Sequence, residues 1–106
     1  MILPVRPKIA RFRSARHLAR LRTLPCCVPG CRKGPVDAHH LTHVQKRGLG
    51  QKASDSLAVP LCRFGHHSAA SNNGVHHVGN ERAWWAALGI DPEPIAAVLW
   101  AETERP

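Results

Sequence analysis

The spacing of hydrophobic residues along the chain predicts helices before and after two short strands. In residues 8–24, apolar side chains recur at helical intervals between arginines, and Pro25 ends this predicted helix. Short apolar runs over residues 36–41 and 57–61 predict the two strands. Pro60 indicates that the second strand ends there or lies at the edge of a sheet.

A His-rich segment and two more helices are predicted beyond the second strand. The segment that starts at Cys62 is expected to be a broken helix, because residues 72–74 are Asn-Asn-Gly. A helix capped by Asn80 should end at Gly89, and an Asp-Pro pair begins a last helix over residues 93–103. The tryptophan pair on the first of these helices is expected in the core rather than stacked on bases.

The positive charge of the chain is concentrated in its first half. Residues 1–52 hold twelve Lys/Arg and one acidic residue, whereas residues 53–106 hold three Lys/Arg and six acidic residues. Such a basic segment favours DNA as a partner, because neutralised phosphates release counterions. The alternative is a solvated face that keeps the chain soluble. The sequence shows no signal peptide and no membrane-spanning run, which predicts a cytoplasmic protein with no membrane partner.

Cysteine and histidine spacing predicts a structural zinc site. Two short-spaced ligand pairs lie beside Pro/Gly turns: Cys26 with Cys31, and Cys62 with His66. A 106-residue chain needs such a staple, and reduced cytosolic thiols favour a metal over disulfides. Cys26 is preferred to Cys27, which is then free to pack inward as a small hydrophobic residue. The register of His66 and His67 is left open.

A second group of histidines predicts a catalytic metal site. Its members are His39, His40, His67 and either His76 or His77, with Asp37 just before the first pair. Neighbouring strand residues point to opposite sides, so His39 and His40 need different roles. One imidazole can ligate a metal ion while the other takes a proton from water. Histidines of this kind also occur as ordinary core or surface residues, which is the plainer interpretation.

The order and spacing of these motifs resemble the HNH (His-Me finger) endonucleases, in particular small phage and prophage members. The resemblance covers roughly residues 18–100. The matching pieces are an Ala-His-His strand, Ser54-Asp55, residues 59–62, His66-His67, His76, Gly79-Asn80-Glu81, Trp84-Trp85 and Gly89-Ile90-Asp91. The resemblance implies an α+β fold with a zinc-stabilised ββα-metal core, a basic N-terminal helix and C-terminal helices. Residues 1–24 would form a basic extension, and residues 25–106 the nuclease domain.

The same resemblance implies a role for each histidine. His39 and His67 would ligate a divalent cation (Mg, Mn, Ni or Zn), and His76 would complete that site or contact the scissile phosphate. His40 would be the general base that activates water. The implied activity is hydrolysis of DNA phosphodiester bonds, with one cation stabilising charge on the phosphate and the leaving oxygen. A basic loop over residues 42–54 carries Lys46, Arg47 and Lys52, which either clamp the DNA backbone or simply belong to a solvated loop.

Two departures from the family pattern motivate an alternative. The family pattern has a middle Asn that mainly braces the loop. No Asn stands within residues 54–57 here, so this bracing role either falls to Asp55 or is missing. His67 and His76 are nine residues apart, so the segment between them must loop out for both to reach one metal ion. The alternative is a zinc-stabilised DNA-binding module without catalysis. A zinc adaptor for protein partners is disfavoured by the basic first half, because the centres of protein interfaces are poor in Lys.

Three other residues carry smaller predictions. Glu81 either braces a ligand histidine or occupies the favourable first turn of a helix. His43 either touches phosphate or is an exposed loop histidine. His17 lies in the basic helix with no special role expected. The oligomeric state is left open by the sequence.

Overall fold

A two-stranded antiparallel sheet and four α-helices form the fold in the computed structural model, which describes residues 12–44, 53–68 and 73–105. The elements in chain order are α1 (Ala15–Leu21), β1 (Val36–His40), a 3-10 turn (Asp55–Leu57), β2 (Ala58–Cys62), a π-helical turn (Arg63–His67), α2 (Val75–Val78), α3 (Glu81–Leu88) and α4 (Pro92–Glu104). The predicted α+β class is confirmed. No helix in the described part of the chain is long and apolar enough to cross a membrane.

The sheet register places the two ends of the hairpin at different candidate sites. Val36 pairs with Cys62 at one end, and His40 pairs with Ala58 at the other. Every residue of β2 is buried, and both predicted strands are present within one residue of their expected bounds. Pro60 lies in the middle of β2, where its carbonyl accepts a hydrogen bond from the Cys27 N–H at 2.8 Å. Pro60 therefore marks an edge of the sheet and not the end of the strand.

Side-chain caps determine where the two C-terminal helices begin, as the sequence predicts. The Asn80 side chain accepts a hydrogen bond from the Ala83 N–H at the start of α3, and Gly89 ends that helix at φ +69°. Asp91 caps α4 through the Glu93 N–H. The π-helical turn and α2 confirm a broken helix after Cys62, although residues 69–72 lie outside the described residues.

The first helix is shorter than the prediction over residues 8–24. Residues 12–14 are not helical, and residues 8–11 lie outside the described part of the chain. Ser14 caps α1 by accepting from the His17 N–H, while its own N–H donates to Asp55 Oδ2 at 2.7 Å. At the other end, Thr23 and Leu24 donate to carbonyls three residues back, which closes the helix in tight turns. A tertiary contact and a cap therefore override the helical periodicity.

The core lies between β2, α3 and α4, and it includes both members of the tryptophan pair. Trp84 and Trp85 are buried with ring centroids 4.8 Å apart, which confirms their predicted core role. His17 joins α1 to α4: it is fully buried, its Nδ1 lies 2.7 Å from Thr103 Oγ1, and its ring meets Trp100 edge-on at 4.9 Å. His17 is thus a core residue that docks α1 on α4, and the expectation that it has no special functional role stays a prediction. The predicted boundary at residue 24, between a basic N-terminal extension and a nuclease domain, stays a prediction.

Candidate metal centres

The first candidate centre consists of Cys26, Cys31, Cys62 and His66. One ligand atom from each residue lies within 4.8 Å of all the others, so the four residues can hold a metal ion. The Sγ atoms of Cys31 and Cys62 are 3.7 Å apart. His66 Nδ1 lies 3.5 Å from Cys26 Sγ and 3.1 Å from Cys62 Sγ. The structure thus assigns Cys26 and His66, rather than their neighbours, to this group.

Two turns bring these four side chains together. The first turn, between Cys26 and Cys31, is attached to β2 by the Cys27 N–H, and the Cys31 N–H donates to the Val28 carbonyl. In the second, the π-helical turn folds back from the end of β2. Gly65 in that turn approaches Cys62 so closely that an added Cβ would lie 2.7 Å from its Sγ. Only glycine leaves room for this thiol.

Burial disfavours ionisation of Cys26 and of its neighbour Cys27. It raises the pKa of Cys26 to about 11, and it raises the pKa of Cys27, which packs against the core, to about 12. Burial also opposes ionisation of Cys31, but hydrogen bonds from the Lys33 N–H and the Cys62 thiol lower the pKa of Cys31. A bound cation would stabilise the thiolates of the ligand cysteines, whereas Cys27 stays a neutral packing residue.

The second candidate centre consists of His39, His67 and His76, whose ligand nitrogens also lie within 4.8 Å of one another. The Nε2 atoms of His67 and His76 are 3.2 Å apart. Ring centroids of the three histidines are separated by 4.7 to 5.2 Å. His39 is buried, His67 is partly buried and His76 is exposed, so the cluster opens to solvent on one side. The nine-residue separation of His67 and His76 does not prevent their contact, and His76 rather than His77 joins the group.

An aspartate orients His67 through the ring nitrogen that does not face His76. Asp37 Oδ2 lies 2.9 Å from His67 Nδ1, which leaves the Nε2 of His67 facing His76. Arg63 clamps the same carboxylate through its Nε and Nη2, both about 3 Å away. Burial would raise the pKa of Asp37, but the hydrogen bonds from Arg63 and His67 outweigh it and lower the pKa. The carboxylate is therefore ionised and fixes the tautomer of His67.

Glu81 holds His39 in a similar way. Its Oε2 lies 2.6 Å from His39 Nε2 and accepts from the Trp85 indole N–H at 2.9 Å, while Oε1 accepts from the Thr42 hydroxyl. Burial would raise the pKa of Glu81, but the contact with His39 and the other hydrogen bonds lower it to about 2. Glu81 braces His39, which leaves Nδ1 as the uncommitted nitrogen of this histidine. Bracing a histidine is one of the two roles that the sequence left open for Glu81.

His40 faces away from this cluster. Its side chain is 30% exposed, compared with 2% for His39, which matches the opposite orientations expected on a strand. His40 Nε2 lies 2.8 Å from Oδ1 of Asp55. Asp55 is buried, and it also accepts from the Ser14 N–H and from Arg13 Nη1. Burial would raise the pKa of Asp55, but the hydrogen bonds from His40 and Ser14 lower it. An ionised carboxylate therefore stands behind a solvent-accessible imidazole.

Comparison with known proteins places the chain in a family. A family profile described as "Protein of unknown function (DUF968)" matches residues 2–99. The chain belongs to this family. A curated relative, "Uncharacterized protein YdfU" of Escherichia coli (strain K12), is 34% identical over 61 residues. The match covers 58% of this chain and 17% of that protein, so the DUF968 chain corresponds to a small part of its relative. No solved structure matches the chain.

Several predicted residues remain to be placed in the DUF968 chain. Lys46, Arg47 and Lys52 lie outside the described residues, so their role as DNA clamps stays a prediction. His43 is only 15% exposed, and its Nδ1 lies 3.5 Å from Glu81 Oε1, so it is a half-buried neighbour of the histidine cluster. The sequence reasoning missed the role of Asp37. The signal was the strand period of two, which places Asp37 on the same face as His39.

Proposed function

We propose that this protein is a metal-dependent endonuclease of the HNH type that hydrolyses phosphodiester bonds in DNA. One observation carries the proposal: the end of β1 holds both His39, a member of the three-histidine cluster, and His40, which is partly exposed and held by a carboxylate. A phosphodiesterase needs positive charge at the phosphate and a base for the attacking water. The histidine cluster supplies ligands for the first, and His40 supplies the second.

The first centre fits a structural zinc ion. Sulfur ligands about 2.3 Å from a tetrahedral zinc ion lie about 3.8 Å from one another. The separation between the sulfurs of Cys31 and Cys62 is 3.7 Å. A sulfur and an imidazole nitrogen on the same ion are about 3.6 Å apart. His66 Nδ1 lies 3.5 Å from Cys26 Sγ, which matches this spacing, and 3.1 Å from Cys62 Sγ, which is closer than a shared ion requires. Three thiolates and one imidazole form a closed set of ligands, as in structural zinc sites.

The second centre fits a catalytic divalent cation. Three imidazoles leave coordination positions for other ligands, and the cluster opens to solvent beside His76. A cation held there would place positive charge on the scissile phosphate and on the leaving oxygen. Imidazole ligands favour Zn or Ni over Mg, which prefers oxygen ligands. Asp37 and Glu81 keep His67 and His39 oriented for this task.

His40 has a defined proton path in this proposal. Its Nε2–H donates to Asp55, so Nδ1 carries the lone pair that accepts a proton. The oxygen of a water molecule attacks phosphorus while Nδ1 of His40 takes one of its protons. The bond between phosphorus and the leaving sugar oxygen breaks, and that oxygen takes a proton from solvent. Asp55 stabilises the imidazolium that forms, in the same way as the carboxylate of a hydrolase triad.

DNA as the substrate is supported by charge and by the stated resemblance to HNH nucleases. Twelve of the fifteen Lys/Arg residues lie in residues 1–52, which include β1 and its preceding turn. Phosphate contacts from such residues position the duplex without reading its sequence. We therefore expect cleavage with little sequence preference.

The proposal is tested with supercoiled plasmid and zinc-loaded protein. Added Mn, Ni, Zn or Mg should convert the plasmid to nicked or linear DNA, and Zn or Ni should support more cleavage than Mg. His39→Ala, which removes one ligand of the second centre only, should lose this cation-dependent cleavage. Absence of cleavage by folded protein with every cation would contradict the nuclease proposal and favour the DNA-binding module without catalysis.

A further inference from the structure

A basic cleft borders the first centre: its lining includes Pro25 and Arg32, the chain neighbours of Cys26 and Cys31, but no ligand residue of either centre. It has a volume of about 380 Å³ and is lined by residues 22–25, which follow α1, and residues 32–36, which lead into β1. Water occupies about 30 Å³ per molecule, so the cleft has room for a hydrated phosphodiester group. Pro25 and Pro35 stiffen its two walls.

The cleft carries positive charge with no acidic residue in its lining. Arg22, Arg32 and Lys33 line it, all three are exposed, and none forms an ion pair with an acidic residue in the described part of the chain. Arg22 also lies at the C-terminal end of α1, where a cation is favoured in any case. Lys33 lies near the first centre, because its Cδ is 3.9 Å from a Cβ built on Gly65. Arg32 has neither explanation and is the most informative of the three.

Strand geometry relates this cleft to the proposed active site. Val36 lines the cleft and begins β1, whereas His40 ends the same strand. At about 3.3 Å per residue, the two lie about 13 Å apart.

We propose that this cleft binds a backbone phosphate of the DNA, about 13 Å along β1 from His40. The inference rests on the proposed function for its ligand, but it concerns binding and not hydrolysis. The phosphate would offset the mutual repulsion of Arg22, Arg32 and Lys33. Arg32 would bind it through the planar fork of its guanidinium, which matches phosphate oxygens.

The test measures binding and leaves cleavage aside. A His40→Ala protein, with no divalent cation added beyond structural zinc, is titrated against a labelled duplex by fluorescence anisotropy between about 50 and 200 mM salt. Arg32→Ala in this background should weaken binding several-fold and reduce the salt slope of log K by about 0.9, the contribution of one phosphate contact. Arg32→Lys keeps the charge and should keep most of the slope. Arg105→Ala, which removes an exposed arginine beyond the end of α4, should leave the slope unchanged.

The outcomes separate this inference from the nuclease proposal. Equal slopes for Arg32→Ala and its His40→Ala background would overturn the cleft as a phosphate site, even if the parent protein cleaves plasmid. A reduced slope for Arg32→Ala but not for Arg105→Ala would support the cleft, even if the parent protein cleaves nothing. No salt-dependent binding of DNA by the background protein would contradict both the cleft and the choice of DNA as the partner.

Discussion

The imidazole of His40 is joined to the carboxylate of Asp55, with 2.8 Å between Nε2 and Oδ1. Asp55 is in turn held by the backbone N–H of Ser14 and by the Arg13 side chain. His40, the general base that we propose, is therefore oriented through Asp55 by residues at the start of α1. These residues lie about forty positions before Asp55 in the sequence. This arrangement makes Asp55 a positioning residue, and it places the basic N-terminal helix behind the proposed active site.

Replacing Asp55 with Asn should separate positioning from folding. Asn keeps the shape and can still accept from Ser14, but it removes the negative charge that stabilises the His40 imidazolium. We expect plasmid cleavage to fall by up to about 10⁴-fold, because an amide in place of the carboxylate favours the wrong tautomer of the imidazole. Asp91→Asn, which changes the cap of α4 in the same way, should leave cleavage unchanged. Cleavage at the rate of the parent would assign Asp55 to the fold alone.

Removing one ligand of the first centre should unfold the protein. Structural zinc sites provide about 10–16 kcal/mol of apparent binding free energy, which is folding free energy in a small domain. Cys62→Ser should therefore melt far below the parent protein, and a chelator should lower the melting temperature of the parent itself. Cys27→Ser is the matched control, because Cys27 packs against the core and is not in the ligand group. Equal melting of Cys62→Ser and Cys27→Ser would contradict the structural zinc site.

The neighbouring histidines His76 and His77 provide a direct test of the second centre. Only His76 belongs to the cluster with His39 and His67 among the described residues. We expect His76→Ala to lower the affinity for Mn or Ni at least ten-fold, measured by isothermal titration calorimetry on zinc-loaded protein. His77→Ala should bind the cation like the parent. The reverse order of the two affinities would mean that the centre uses the other histidine.

Local sequence chemistry was sufficient to predict some parts of this fold. Asn80 and Gly89 mark the ends of α3 because a cap and a left-handed glycine act within one helical turn. The first centre was also predictable, since its ligands come in pairs on short turns. The preference for Cys26 over Cys27 is confirmed, whereas the register of His66 and His67, which the sequence left open, is given by the structure, which brings His66 to the cysteines.

Contacts between distant segments could not be predicted in this way. The start of α1 depends on a hydrogen bond from Ser14 to Asp55, forty-one residues later, and no pattern within residues 8–24 contains it. His17 looks like an ordinary residue of a basic helix, but docking of α4 buries it completely. The pairing of Asp37 with His67 spans thirty residues, and only the alternation of side chains on β1 indicated which residues would share a face.

The burial of His17 predicts a pH dependence of stability. Burial, with a smaller contribution from Arg20, lowers the pKa of His17 below 6.5 in the folded protein. The unfolded chain therefore binds this proton more readily, so the stabilising contribution is complete above pH 6.5 and is lost as the pH falls through the lower folded value. His17→Gln removes the titration. We expect the parent to lose more melting temperature than His17→Gln between about pH 7.5 and pH 5. Parallel losses would exclude this role for His17.

The most direct measurement of the central claim compares cleavage and DNA binding for the parent and for His40→Ala. Both proteins are loaded with zinc and supplied with the cation that supports cleavage best. Our account predicts that His40→Ala retains the fold, the cation and the DNA affinity of the parent, while its plasmid cleavage falls by about 10²–10⁴-fold. Cleavage by His40→Ala at the rate of the parent would contradict the account, because no proton acceptor at the end of β1 would then be needed.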